Sequence, residues 1–204
     1  MAVRCASFLR LTPADNHMAS PQEIRQLRLA NDYREMCNVR GPMIAWRATR
    51  GVPPHVEAYE LTVEVRSITG SGPSYRQRHL LTLELPASYP DAAPSMRMLT
   101  SPPPFHPNWW PDGRWCHGSW DFSEGLGHYT VRMIRALRFD PEITNPNSPA
   151  NGPANAWYQS QARSGLFPSD SQPLPDPTTS SRFVVRDDAV PTRTAPRRTF
   201  RMNE

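Results

Sequence analysis

The chain has 204 residues, 38% of them hydrophobic, with 24 Pro, three Cys and a formal net charge of +4. That length suits one domain of about 150 residues with extensions. No apolar run approaches the roughly 18 residues of a membrane span, the charge is too small to imply nucleic acid by itself, and three irregularly spaced Cys make no disulfide framework, so a reducing cytoplasm is expected.

Residues 1–19 read as a flexible lead. Met1 to Leu11 holds two Arg and no apolar h-region, which argues against a secretory signal. Ser20-Pro21-Gln22-Glu23 is a capping box with Pro at the first helical position. Ile24, Leu27, Ala30 and Cys37 follow at helical spacings, predicting a helix from about Pro21 to Met36. Met43 to Ala48 is a short strand. Val56 to Val65 alternates, with Val56 and Ala58, an offset at Tyr59, then Leu61, Val63 and Val65 against Thr62, Glu64 and Arg66. Gly70-Ser71-Gly72-Pro73 is a hairpin-type loop. His79 to Leu85 and Ser95 to Leu99 complete four strands. A helix followed by an antiparallel meander points to an α+β fold.

Residues 100–128 hold five Pro and four Trp and break the pattern. Loops of this length are functional or disordered, and aromatics this dense call for burial. Thr130 to Phe139 returns to helical spacing, and Ala154 to Ala162 is a last short helix after Asn151-Gly152-Pro153. Residues 164–204 carry six Pro, six Arg and five acidic residues. They read as a linker-like tail, dispensable for chemistry, with a Phe183-Val184-Val185 island and an Arg cluster from Arg193 to Arg201 as docking candidates.

The informative text is Tyr89-Pro90-Asp91-Ala92-Ala93-Pro94, then Phe105-His106-Pro107-Asn108, then Cys116, eight residues after Asn108. This ordered set resembles the ubiquitin-conjugating enzymes. That family has a Tyr-Pro turn after its third strand, a His-Pro-Asn triplet, and a catalytic Cys eight residues beyond the Asn. The resemblance covers residues 20–163. It implies the ubiquitin-conjugating fold: an N-terminal helix, a four-stranded antiparallel meander, an active-site loop, a crossover helix and a short C-terminal helix. It implies three partners: a ubiquitin-like protein, an activating enzyme and a target protein. It implies neither cofactor nor metal. Asp91 stands where the family often has Phe, and the family's further helices are replaced by the tail. Such departures resemble divergent members of prokaryotic ubiquitin-like conjugation operons, some of which serve in antiphage defence.

On this resemblance Cys116 carries the thioester. Thiol exchange needs no strong base, and a free Cys is already a few per cent thiolate at neutral pH. The plain alternative is a small buried hydrophobe, the reading given to Cys37, while Cys5 reads as a tail thiol. Asn108 would donate its amide to the oxyanion formed when an amine attacks, worth roughly 3 kcal/mol, or would hold the loop to backbone. His106 reads as a pin for the loop through a ring N–H to a carbonyl, and Pro107 as a fixed turn. Ser148 falls near the position where the family orients the attacking amine. Asp140 competes for that role, and His128 at the start of the crossover helix is a further candidate.

Two rival classes are open. Cys116 with Asn108 and His106 or His128 could pass for a Cys-dependent hydrolase, although Asn precedes Cys and no Gly-rich oxyanion strand follows. A non-catalytic module that binds ubiquitin-like proteins would have no use for the Cys. All 23 basic residues are Arg. A GC-rich genome explains this, as does selection against amines that a thioester enzyme would modify on itself.

Overall fold

In the computed structural model, which describes residues 19–169 and 172–179, Ser20 and Glu23 close the capping box. The Ser20 hydroxyl accepts from the Glu23 N–H at 3.2 Å, and the Glu23 carboxylate accepts from the Ser20 N–H at 2.7 Å. Helix α1 runs Pro21–Asn38. Its buried face is not the predicted one. Leu29, Asp32 and Met36 point inward, while Ile24 and Leu27 are 50% and 63% exposed and Cys37 lies at the surface. The inward stripe contains a carboxylate, so an apolar count misplaces it.

Four strands follow: β1 (Ile44–Val52), β2 (His55–Gly70), β3 (Ser74–Glu84) and β4 (Ser95–Met98). They pair antiparallel in the order β1-β2-β3-β4. Helices α2 (Leu126–Leu137) and α3 (Gly152–Ser160) complete an α+β architecture. The alternation in β2 is observed: Val56, Ala58, Tyr59, Leu61, Val63 and Val65 are all buried. The first three strands extend beyond their predicted limits. The added stretches are largely polar, with Arg50 reaching Glu57 at 3.5 Å and Arg78 reaching Glu64 at 3.3 Å, and such ends carry no apolar alternation.

The core lies between the sheet and the helices α1 and α2, with Trp46, Tyr59 and Leu61 meeting Leu29, Met36, Tyr129 and Ile134. Trp46 donates its indole N–H to the Met36 carbonyl at 2.6 Å, satisfying its one polar atom. The start of α2 is capped from α1. Gly125 offers no side-chain cap. Instead Asp32 accepts from the Leu126 N–H at 3.0 Å and Glu35 from the Gly127 N–H at 2.9 Å. A Cβ at Gly125 would lie 2.1 Å from the Glu35 carboxylate oxygens, so only glycine admits this approach.

The described part of the tail is not linker-like. Phe167 packs on Phe139, Trp157 and Tyr158 at ring separations of 5.1, 5.6 and 4.9 Å. The Tyr75 hydroxyl donates to the Leu166 carbonyl at 2.8 Å, Asn38 to the Pro177 carbonyl at 2.7 Å and Arg138 to the Gln172 carbonyl at 3.0 Å. Leu174 packs against the core. The backbone of this Pro-rich stretch is thus used as a row of acceptors. Phe167→Ala should cost about 2 kcal/mol, and a chain ending at Arg163 should melt several degrees lower. Equal melting of the truncated and full chains in calorimetry would return residues 164–179 to the role of linker. Residues 1–18 of the predicted lead, with Cys5, the Phe183-Val184-Val185 island and the terminal Arg cluster lie outside the described residues.

Candidate active site

The eight-residue interval between Asn108 and Cys116 is a backbone hairpin. The Cys116 N–H donates to the Asn108 carbonyl at 2.8 Å, Trp109 and Trp115 form a bridge, and the Trp110 N–H donates to the Arg114 carbonyl at 2.9 Å. Gly113 turns the tip at φ 90°, with its Cβ position 2.8 Å from the Met98 carbonyl oxygen, so no other residue fits without displacement. The returning arm extends the sheet: Met98 donates to the Gly113 carbonyl at 2.8 Å and Trp115 to the Met96 carbonyl at 3.0 Å. Of the four Trp expected to be buried, Trp109 and Trp115 are, Trp120 is half-buried against the core and Trp110 is 40% exposed.

The His106-Pro107-Asn108 triplet ties this hairpin to residues 144–151 through three successive residues. His106 is fully buried. Its Nδ1 accepts from the Asn108 N–H at 2.9 Å, which leaves the proton on Nε2, 3.3 Å from the Thr144 hydroxyl. The pin is therefore a ring nitrogen accepting from a backbone N–H, not a ring N–H reaching a carbonyl. The Pro107 carbonyl accepts from the Ala150 and Asn151 N–H groups at 2.7 and 3.1 Å. The Asn108 side chain accepts from the Asn145 N–H at 2.8 Å and donates to the Asn145 carbonyl at 3.3 Å. Of its two sequence-derived roles, the structure fills the loop-holding one.

Burial pushes the His106 pKa down to about 3. His79 and His117 are also lowered, in both cases chiefly by burial. These imidazoles are neutral when folded and charge on unfolding. The folded value lies below the unfolded one, near 6.5. His106 therefore contributes stability that is present above about pH 6.5 and is lost as pH falls toward 3. Urea unfolding should weaken by up to about 1.4 kcal/mol per pH unit over that window for this group. His106→Gln should flatten the slope by one proton; an unchanged slope would mean that the ring is already charged in the fold.

Cys116 is a half-buried free thiol. It lines a groove of about 560 Å³ together with Asn108, His117, Arg132, Glu142 and Ser148. Ser148 is thus brought to the groove of Cys116, on the loop between α2 and α3. Asp140 is not. Its carboxylate takes the Arg135 Nε at 2.6 Å and the Glu142 N–H at 3.0 Å. Burial opposes its charge, but these partners hold its pKa below the usual carboxylate value. His128 is not brought there either; it stands beside Glu35, 3.4 Å away, at the α1–α2 junction. The His117 ring lies against Tyr129 and Trp115, and its Nδ1 is buried without a partner.

Sequence reasoning missed Arg132 and Glu124. Arg132, on α2, forks onto Glu124 at 2.8 and 2.6 Å and donates a third bond to the carbonyl of His117, the residue after Cys116. A lone Arg in a helix gives no sequence signal for this. Among the described residues no His, Cys, Asp and Glu group could hold a metal ion, and no helix is long and apolar enough to cross a membrane. No protein-family model matches the chain, and comparison with curated proteins returns no match.

Proposed function

We propose that the chain is a ubiquitin-conjugating enzyme that carries a ubiquitin-like protein as a thioester on Cys116. The observation that carries this reading is the hairpin that sets Cys116 opposite Asn108 and faces it, across one groove, with the loop bearing Ser148. The element order, helix, antiparallel meander, long loop, helix and helix, agrees with the fold that the resemblance implies. In the first step the Cys116 thiolate attacks the thioester carbonyl on the activating enzyme. A C–S bond forms to Cys116 and the activating enzyme's thiolate leaves. In the second, a target amine attacks, an amide forms and the Cys116 thiolate departs, with the amine proton passing to solvent. Ser148 is the groove residue placed to receive that amine. A place in a prokaryotic conjugation operon, with a role in antiphage defence, belongs to the same proposal.

A Cys–His hydrolase is less well supported. Both His106 nitrogens face partners inside the protein, and His128 lies outside the groove. His117 lines it, but its Nδ1 is enclosed. A purely binding module leaves the groove-lining thiol without a purpose.

Incubation with the host's activating enzyme, ubiquitin-like protein and ATP should give a DTT-sensitive adduct. Cys116→Ala should abolish it, while Cys5→Ala and Cys37→Ala should charge normally. Charging of Cys116→Ala would end the proposal.

A further inference from the structure

The groove needs a positive or N–H-bearing group wherever negative charge develops, on the thioester oxygen and on the departing sulfur. The Asn108 amide is held by Asn145 at both ends, its oxygen accepting from the Asn145 N–H and one N–H donating to the Asn145 carbonyl, which leaves it a single N–H and no charge to offer. Arg132 is the one guanidinium among the described residues that line the groove. Three of its N–H groups are used, two on Glu124 and one on the His117 carbonyl. A guanidinium carries five, so two remain. Its Cζ lies over both the Trp115 and Tyr129 rings, 5.4 and 5.3 Å from their centroids.

We propose that Arg132 is the residue that stabilises negative charge at the Cys116 centre, while Glu124 holds it in place. This rests on the acyl-transfer reading, and it assigns to Arg132 the task that the sequence suggested for Asn108. The other ionisable groups around the thiol are His117 beside it, Tyr129 on α2 and Glu142 across the groove. Burial keeps Tyr129 protonated and, with Arg132, keeps His117 neutral. Neither supplies positive charge.

The test uses the protein alone. In a Cys5→Ala, Cys37→Ala background Cys116 is the one thiol of the three in the chain. Iodoacetamide then reports on it by intact mass at pH 7: the sulfur attacks the methylene carbon, the C–I bond breaks and iodide leaves. Arg132→Gln should slow this about tenfold, and Glu124→Gln, which removes the opposing charge, should speed it about threefold. Both variants break the same ion pair, so a clamp without an electrostatic role would move both rates in one direction. That result, or no change in either, overturns the proposal. Arg132→Lys keeps the charge but not the fork and should stay within about threefold of the parent; it carries the comparison if Arg132→Gln does not fold. Because no ubiquitin-like protein is involved, failure here leaves the charging assay to judge the function separately.

Discussion

Asp32→Ala should cost about 3–5 kcal/mol of stability, the scale of breaking a buried ion pair from one side. Asp32 is 1% exposed. Its carboxylate accepts from Arg28 at 2.9 Å, from the Tyr89 hydroxyl at 2.6 Å and from the Leu126 N–H at 3.0 Å. Removing it orphans three donors at once, one of them charged. The loss would spread, because Arg28 also holds the carbonyls of Phe122 and Glu124, and Tyr89 packs against Trp120 with ring centroids 5.9 Å apart. The loop that carries Cys116 would lose its far anchor. Adding Tyr89→Phe removes one orphan, so the double variant should recover part of the loss. Urea unfolding of the two variants measures this; a cost below about 1 kcal/mol for Asp32→Ala would mean that water replaces the carboxylate. The pH dependence has its own sign. Burial raises the Asp32 pKa above the ordinary carboxyl value although Tyr89 and Arg28 oppose it. Its ionisation therefore works against folding as pH rises through the folded value, opposite to the imidazole trend.

The same residue shows what the sequence could and could not display. The α1 boundary was legible, because a capping box is a local device and Ser20 and Glu23 need nothing else. The inward face was not, because Asp32 accepts from donors 57 and 94 residues away, Tyr89 and Leu126. The alternation of β2 was legible because one sheet face meets a core. The hairpin from Asn108 to Cys116 was not, since its residues are joined by backbone bonds that leave no side-chain period. The spacing of Asn108 and Cys116 was nonetheless visible, as was Ser148 on the opposing loop. Asp140 and His128 were chosen for residue type and chain position, and each is spent on a neighbour that position does not reveal, Arg135 and Glu35. The docking of the tail is hidden from the sequence for a related reason. Its Pro content describes what it cannot form, whereas its docking uses carbonyls, which every residue has.

Asn108→Ala is expected to slow charging and discharge of Cys116 equally, with a lower melting temperature. The sequence alone suggested a selective loss of discharge, roughly a hundredfold for an oxyanion donor. The structure argues otherwise. Asn108 is 5% exposed, and both ends of its amide face the backbone of Asn145. Ala would leave the Asn145 N–H and carbonyl without those partners, costing about 2 kcal/mol, and would release the loop that carries Ser148 from the hairpin that carries Cys116. The His106 and Pro107 ties would remain, so the fold should persist with a looser groove. Both chemical steps use that groove, so both rates should fall together. Asn108→Asp sharpens the comparison. A carboxylate can still accept from the Asn145 N–H but repels the Asn145 carbonyl, so it should lose stability as Ala does despite its similar shape. Single-turnover charging and discharge, measured beside thermal unfolding, separate the cases. A hundredfold loss of discharge alone, at unchanged melting temperature, would return the oxyanion role to Asn108 and take it from Arg132.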